Sequence, residues 1–411
     1  MAYKYFIDAH CHVLELSHPN FLDFVEGLRH RGLEALYQGL SAPNFMLTSF
    51  FSKGGERLRN LLAVMERQAG EIFELMEDDL LGKFSQDDEA EALYSGGSLK
   101  IGGLRFDRVL VVPLVMDFAE PPRADPGLWY DRQPPKDILR QVRDLLEGIA
   151  HYRRTRPEGL LAIRPFIGIN TARHDRAALE SLLIAAFEGY RKGFGAALEA
   201  FDGMGVWDGS WKANAFAGVK LYPPLGFDPF PVEGEEREKT DFLFSFCEER
   251  GIPIVTHCDD MGFRSLSLEE SWRNTSPERW RPRLEANPSL RIDFAHFGMQ
   301  YSLRFGQGAR HEWTEAIIEL MVEYPGVYAD VAFNGCDPSY YDHLISLMER
   351  EEKRSGAMLA ERLLFGSDFA MNLLRISSWS EYLGIFSKSR LPDSIKEGMG
   401  FVNPARFLFG E

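Results

Sequence analysis

The sequence predicts an α/β protein, a TIM (β/α)8 barrel carrying a large helical insertion after its first strand, on three observations. Short apolar, β-rich runs recur along the 411 residues, and stretches of helical periodicity separate most of them. Histidine, lysine and aspartate stand at the ends of several of these runs. Alternating strands and helices form a parallel sheet, and a barrel of this kind carries its chemistry at the C-terminal ends of its strands.

The predicted strands are Tyr5 to His12, Arg108 to Asp117, Leu160 to Asn170, Ala217 to Tyr222, Pro253 to Cys258, Arg291 to Phe297, Val327 to Phe333 and Leu363 to Asp368. Residues 1–411 are expected to form one domain, since barrels with insertions routinely exceed the usual domain length. The stretch Val13 to Phe106, far longer than a crossover helix, is the insertion or cap, with helices across Arg57–Met76 and the acidic Glu71–Glu91 and a Gly-rich link, SGGSLKIGG. A proline-rich loop, Glu120 to Pro135, carries Trp129 and Tyr130, and a helix is expected over Glu235–Arg250.

Composition narrows the partners. A formal net charge of −16 argues against nucleic acid, whose phosphates need clustered Lys and Arg. No apolar run approaches the roughly 18 residues that span a bilayer, and MAYKYFIDAHCH lacks a signal-peptide pattern, so a soluble, cytoplasmic protein is expected. The four cysteines are widely spaced, without the pairs of a structural zinc site. A small-molecule substrate and a homodimer are the expected partners.

The candidate chemistry begins with Asp8-Ala9-His10-Cys11-His12. The period of two in a strand sends His10 and His12 to one side and Cys11 to the other. His257 is next to last in PIVTHC, His296 ends IDFAH, and Asp368 closes LLFGSD. Imidazoles with a carboxylate make the ligand set of a catalytic divalent ion. Lys220, in the apolar strand FAGVKLY, needs a partner or a function, either an ion pair or carbamylation that turns it into an anionic metal bridge. His18, His30, His151, His174, His311 and His343 read as surface or capping residues. Arg164, Tyr222 and Arg375 lie near strand ends and are candidates to hold a substrate carboxylate by a guanidinium fork or a hydroxyl.

This ordered set, His-x-His on the first strand, Lys on the fourth, His on the fifth and sixth and Asp on the eighth, resembles the amidohydrolase superfamily, and its amidohydrolase-2 branch in particular. The closing NPARFLFG is similar to that branch's final segment. The resemblance implies a metal held by His10, His12, His257 and Asp368, with His296 as a second-metal ligand or a group polarising the substrate. Lys220 belongs to the metal set if it is carbamylated. One ion is favoured over two, zinc first, with manganese, iron or cobalt as alternatives. The implied activity is hydrolysis of an amide, lactone or ester bond in a small molecule by metal-activated water, with Asp368 as general base. Metal-dependent decarboxylation of an aromatic or unsaturated acid is the alternative, and a non-catalytic metal-binding barrel is the third reading.

Overall fold

The computed structural model describes residues 4–18, 53–84, 92–118, 137–193, 195, 215–301, 311–355 and 357–410. The loop with Trp129 and Tyr130, and His30, lie outside these residues.

Every predicted strand is present in shortened form. In chain order they are β1 (Tyr5–Cys11), β5 (Arg108–Pro113), β6 (Leu161–Ile163) with β7 (Phe166–Gly168), β8 (Gly218–Leu221), β9 (Ile254–Thr256), β10 (Ile292–Phe294), β11 (Val327–Asp330) and β12 (Leu363–Leu364). The third predicted strand is broken at Arg164-Pro165, where proline has no N–H for a ladder bond. All ladders among these strands are parallel, in the orders β1-β5-β6 and β7-β8-β9-β10-β11-β12. A bridge between Leu114 and Phe166 links the two sheets on one side. On the other, Ala9 N donates to Phe365 O at 3.0 Å and Ser367 N to His10 O at 3.0 Å.

Helices alternate with these strands. Two of them, α1 (Lys53–Met65) and α2 (Ala69–Leu80), follow β1, and α3 (Ile138–Thr155) links β5 to β6. The helix predicted over Glu235–Arg250 is found there, and Gly251 ends it with φ 62°, the left-handed position that glycine adopts without strain. The segment read as a Gly-rich link is instead a small antiparallel sheet, β2 (Tyr94–Ser95), β3 (Ser98–Ile101) and β4 (Leu104–Phe106). Its glycine pairs turn the chain: Gly96, Gly97 and Gly102 all have positive φ, so the residues that suggested a link are those a tight hairpin needs. No described helix is long and apolar enough to cross a membrane.

Apolar residues divide into two layers by strand parity. Val219, Leu221, Ile254, Ile292, Phe294, Val327, Ala329 and Leu363 belong to the large cluster shared with the helices. Ile7, Ala9, Leu110, Val112, Val255, Tyr328 and Leu364 form a second cluster on the opposite face, closed off by Phe407, Leu408 and Phe409 of the terminal helix α13 (Asn403–Phe409). The period of two then places Lys220, Asp293 and Asp330 on the face of the second cluster.

One irregularity decides where the first motif points. Asp8 pairs with Val111 but Cys11 pairs with Pro113, so β1 spends three steps against two on its neighbour. This β-bulge shifts the alternation: Ile7 and Ala9 face the inner cluster, and past the bulge Cys11 faces the outer one. His10 and His12 thereby turn inward beyond the last apolar layer.

Candidate metal centre

His10 and His12 lie with their Nε2 atoms 3.2 Å apart, and Asp368 Oδ1 is 3.3 Å from His12 Nε2 and 3.7 Å from His10 Nε2. All three residues are buried. Asp368 occupies the left-handed region at φ 57°, which Asp tolerates better than most residues, and its N–H donates to His10 O at 2.8 Å.

The remaining hydrogen bonds fix the tautomers. His12 Nδ1 is 2.9 Å from Leu114 O and His296 Nδ1 is 3.1 Å from Ala332 O; a carbonyl only accepts, so both Nδ1 atoms carry the proton. His10 Nδ1 is held at 2.6 Å by Asp330 Oδ2. The Nε2 atoms of these three imidazoles therefore present lone pairs. Two lone pairs facing each other at 3.2 Å repel unless a cation lies between them. Donors around a tetrahedral ion at 2.0–2.1 Å stand about 3.3 Å apart, so the spacing among His10, His12 and Asp368 fits a divalent metal.

The resemblance implies His257 at the same ion; in the structure its ligand atom lies within a group with those of Asp259 and His296. His257 Nε2 lies 3.1 Å from both Asp259 Oδ1 and Met261 O, and Asp259 Oδ2 is 3.8 Å from His296 Nε2. The two groups are continuous, since the His296 ring centre is 5.0 Å from that of His10 and 5.1 Å from that of His257. Tyr222 packs on His257 at 4.5 Å and accepts from Phe263 N, which orients the imidazole and uses the hydroxyl. Arg164 is buried and interacts with Tyr190, and the carboxylate role expected of it has no support in that placement. Arg375 is exposed.

Asp330 and Asp293 were not foreseen. Besides His10, Asp330 accepts from His296 N at 2.8 Å and Ala332 N at 3.0 Å, so one carboxylate positions two of the imidazole-bearing strands. Lys220 Nζ is buried with no hydrogen-bond partner among the described residues, and the same holds for both oxygens of Asp293. Burial pushes the Lys220 amine down to about 8 against the pull of Asp330, Asp293, Asp368 and Asp259. Burial, reinforced by the neighbouring Asp330, holds the Asp293 carboxyl well above the usual range. The signal for all three was in the sequence: a charged residue inside an apolar strand.

Burial lowers the imidazoles of His10 and His12 well below the ordinary histidine value and His296 to about 3, so they are neutral, the ligating form, at neutral pH. A histidine depressed in the folded state takes up its proton more readily when unfolded. Its contribution is therefore complete above about pH 6.5 and is lost as pH falls towards the folded value. Metal-stripped protein is expected to lose about 2 kcal/mol between pH 7.5 and 5 from His296 alone. Urea unfolding across that range checks this, and an unchanged midpoint would contradict it.

The family model described as amidohydrolase matches residues 7–410. No curated protein matches the chain. Among solved structures it is similar to an amidohydrolase from Burkholderia multivorans with bound zinc, at 12% identity over 100% of this chain and 99% of that one, TM-score 0.46. It is also similar to 5-carboxyvanillate decarboxylase from Novosphingobium aromaticivorans complexed with manganese, at 10% identity over 100% and 96%, TM-score 0.47. A third is 4-oxalomesaconate hydratase from Rhodopseudomonas palustris, at 12% identity over 98% and 95%, TM-score 0.45. With a family match running across nearly its whole length, the chain belongs to the amidohydrolase family of metal-dependent enzymes.

Proposed function

We propose that the protein hydrolyses an amide, lactone or ester bond of a small molecule, using one divalent ion, zinc or manganese, held by His10, His12 and Asp368. The observation that carries this reading is the set of three donor atoms at metal-ligand spacing, two of them lone pairs aimed at one another. The hydrogen bonds from Ala9 and Ser367 to the last strand, with the Leu114–Phe166 bridge, support a closed (β/α)8 barrel around this site. α1 and α2 follow β1 in the chain, which supports the expected cap.

When bound, the ion supplies Lewis acidity that brings the pKa of water towards neutrality. Asp368 accepts the proton released by the attacking water and returns it to the leaving group, as its carboxylate lies among the ligand atoms. Asp330 keeps the His10 proton on Nδ1, so that Nε2 stays a donor of electrons. His296 has the same tautomer, fixed by Ala332 O, and this favours a ligand or proton-acceptor role over donation to a substrate carbonyl. His257 and Asp259 form a second lobe beside these ligands, and their nearness to His296 supports assigning the substrate's reacting bond to that side. Lys220, buried, without a hydrogen-bond partner among the described residues and lowered to about 8, is nearer than an ordinary lysine to the neutral amine that carbamylation requires.

Elemental analysis of protein purified without added metal tests the assignment. About one ion per chain is expected, lost in His10→Ala and retained in Lys220→Ala. A fall from two ions to one or none in Lys220→Ala would establish a carbamylated bridge, and no metal in any form would overturn the proposal. Screening esters, lactones and amides beside aromatic carboxylic acids, with carbon dioxide release recorded, separates hydrolysis from decarboxylation.

A further inference from the structure

A second group of ligating side chains lies outside this centre, on the segment leaving β1. His18 was expected at the surface, yet it is only 2% exposed. Its Nε2 faces Asp144 Oδ2 of α3 at 3.2 Å. Glu15 completes a trio whose ligand atoms all lie within 4.8 Å of one another. We propose that Glu15, His18 and Asp144 bind a divalent cation of the zinc or manganese class, separate from the central ion, which clamps the segment leaving β1 onto α3.

Three features of the setting support this. His18 N donates to Glu15 O at 2.9 Å, a turn that holds two ligands on one side, and the third comes from a helix of 18 residues, so little of the trio needs ordering. The Glu15 carboxylate is fixed, with Oε1 accepting from Ala69 N at 3.3 Å at the start of α2. Asp144 Oδ2 and His18 Nε2 already stand 3.2 Å apart, the separation of two donors on one ion. One nitrogen and carboxylate oxygens suit a first-row divalent ion, and three protein ligands leave room for water. Glu15 and Asp144 are only partly buried, which suits a weaker site than the central one. Leu16 N also donates to Met65 O at 2.9 Å, so the clamped segment is seated against α1 as well.

The test uses zinc chloride as the probe on metal-stripped full-length protein, with bound zinc counted after equilibrium dialysis and the melting temperature recorded. In a His10→Ala background, adding His18→Ala is expected to remove one zinc per chain and to abolish the zinc-dependent rise in melting temperature. Asp144→Asn, which keeps a hydrogen-bond partner for His18, is expected to do the same and guards against a folding defect in His18→Ala. Equal zinc counts with and without the His18 and Asp144 changes would overturn the proposal and leave the trio as an ion-paired tether. The result bears on this trio alone, because the central ligands are the same in every arm.

Discussion

Replacing Asp330 with Asn is expected to weaken metal binding by roughly 10- to 100-fold while leaving stability within about 1 kcal/mol. The asparagine oxygen can still accept from His296 N and Ala332 N, which Asp330 Oδ1 serves at 2.8 and 3.0 Å. Its amide N–H2 would instead face His10 Nδ1, which Asp330 Oδ2 now holds at 2.6 Å. A donor there forces the His10 proton to Nε2 and removes the lone pair from the ligand set. Asp330→Ala removes every acceptor at once, leaves three buried N–H groups unpaired, and is expected to cost about 3 kcal/mol or more in addition. Metal titration paired with urea unfolding separates the two variants. If Asp330→Asn binds metal as tightly as the unaltered protein, the carboxylate does not set the tautomer.

Asp368→Asn is expected to lower kcat by roughly 100- to 10,000-fold at saturating metal and to flatten the acid limb of the pH profile of kcat/KM, the range assigned to loss of a general base. Asn is the informative substitution because φ 57° suits it nearly as well as Asp, whereas alanine would add backbone strain to the loss of the carboxylate. Its oxygen remains a weak ligand 3.3 Å from His12 Nε2, so the variant is expected to retain metal once saturated. A variant within tenfold of the parent kcat, with the acid limb intact, would remove Asp368 from the proton-transfer role.

The strands were legible because each is a short apolar run bounded by polar residues, and burial on both faces produces that pattern without alternation. His10, His12, His257, His296 and Asp368 were legible because they end such runs. Their grouping was not. Strand ends converge on one region, but which imidazole meets which carboxylate depends on side-chain direction, and His257 is turned onto Asp259 and Met261, two and four residues further along its own chain. Asp330 and Asp293 were passed over although they carry the same mark as Lys220, an ionisable group within an apolar strand. The turns of β2 to β4 were mistaken for a link because glycine signals flexibility and positive φ alike, and only pairing partners distinguish the two.

The bulge in β1 acts as a change of reading frame within the strand. Upstream of it, Ile7 and Ala9 are read by the packed interior; downstream, His10 and His12 are read by the chemistry. Because the shift lies between them, the volume of the inner layer and the aim of the ligands answer to different stretches of one seven-residue strand. Core positions are thus open to repacking at constant ligand aim. A strand of the same length without the bulge would instead continue the alternation of Ile7 and Ala9 and send His10 and His12 to the wrong side of the sheet.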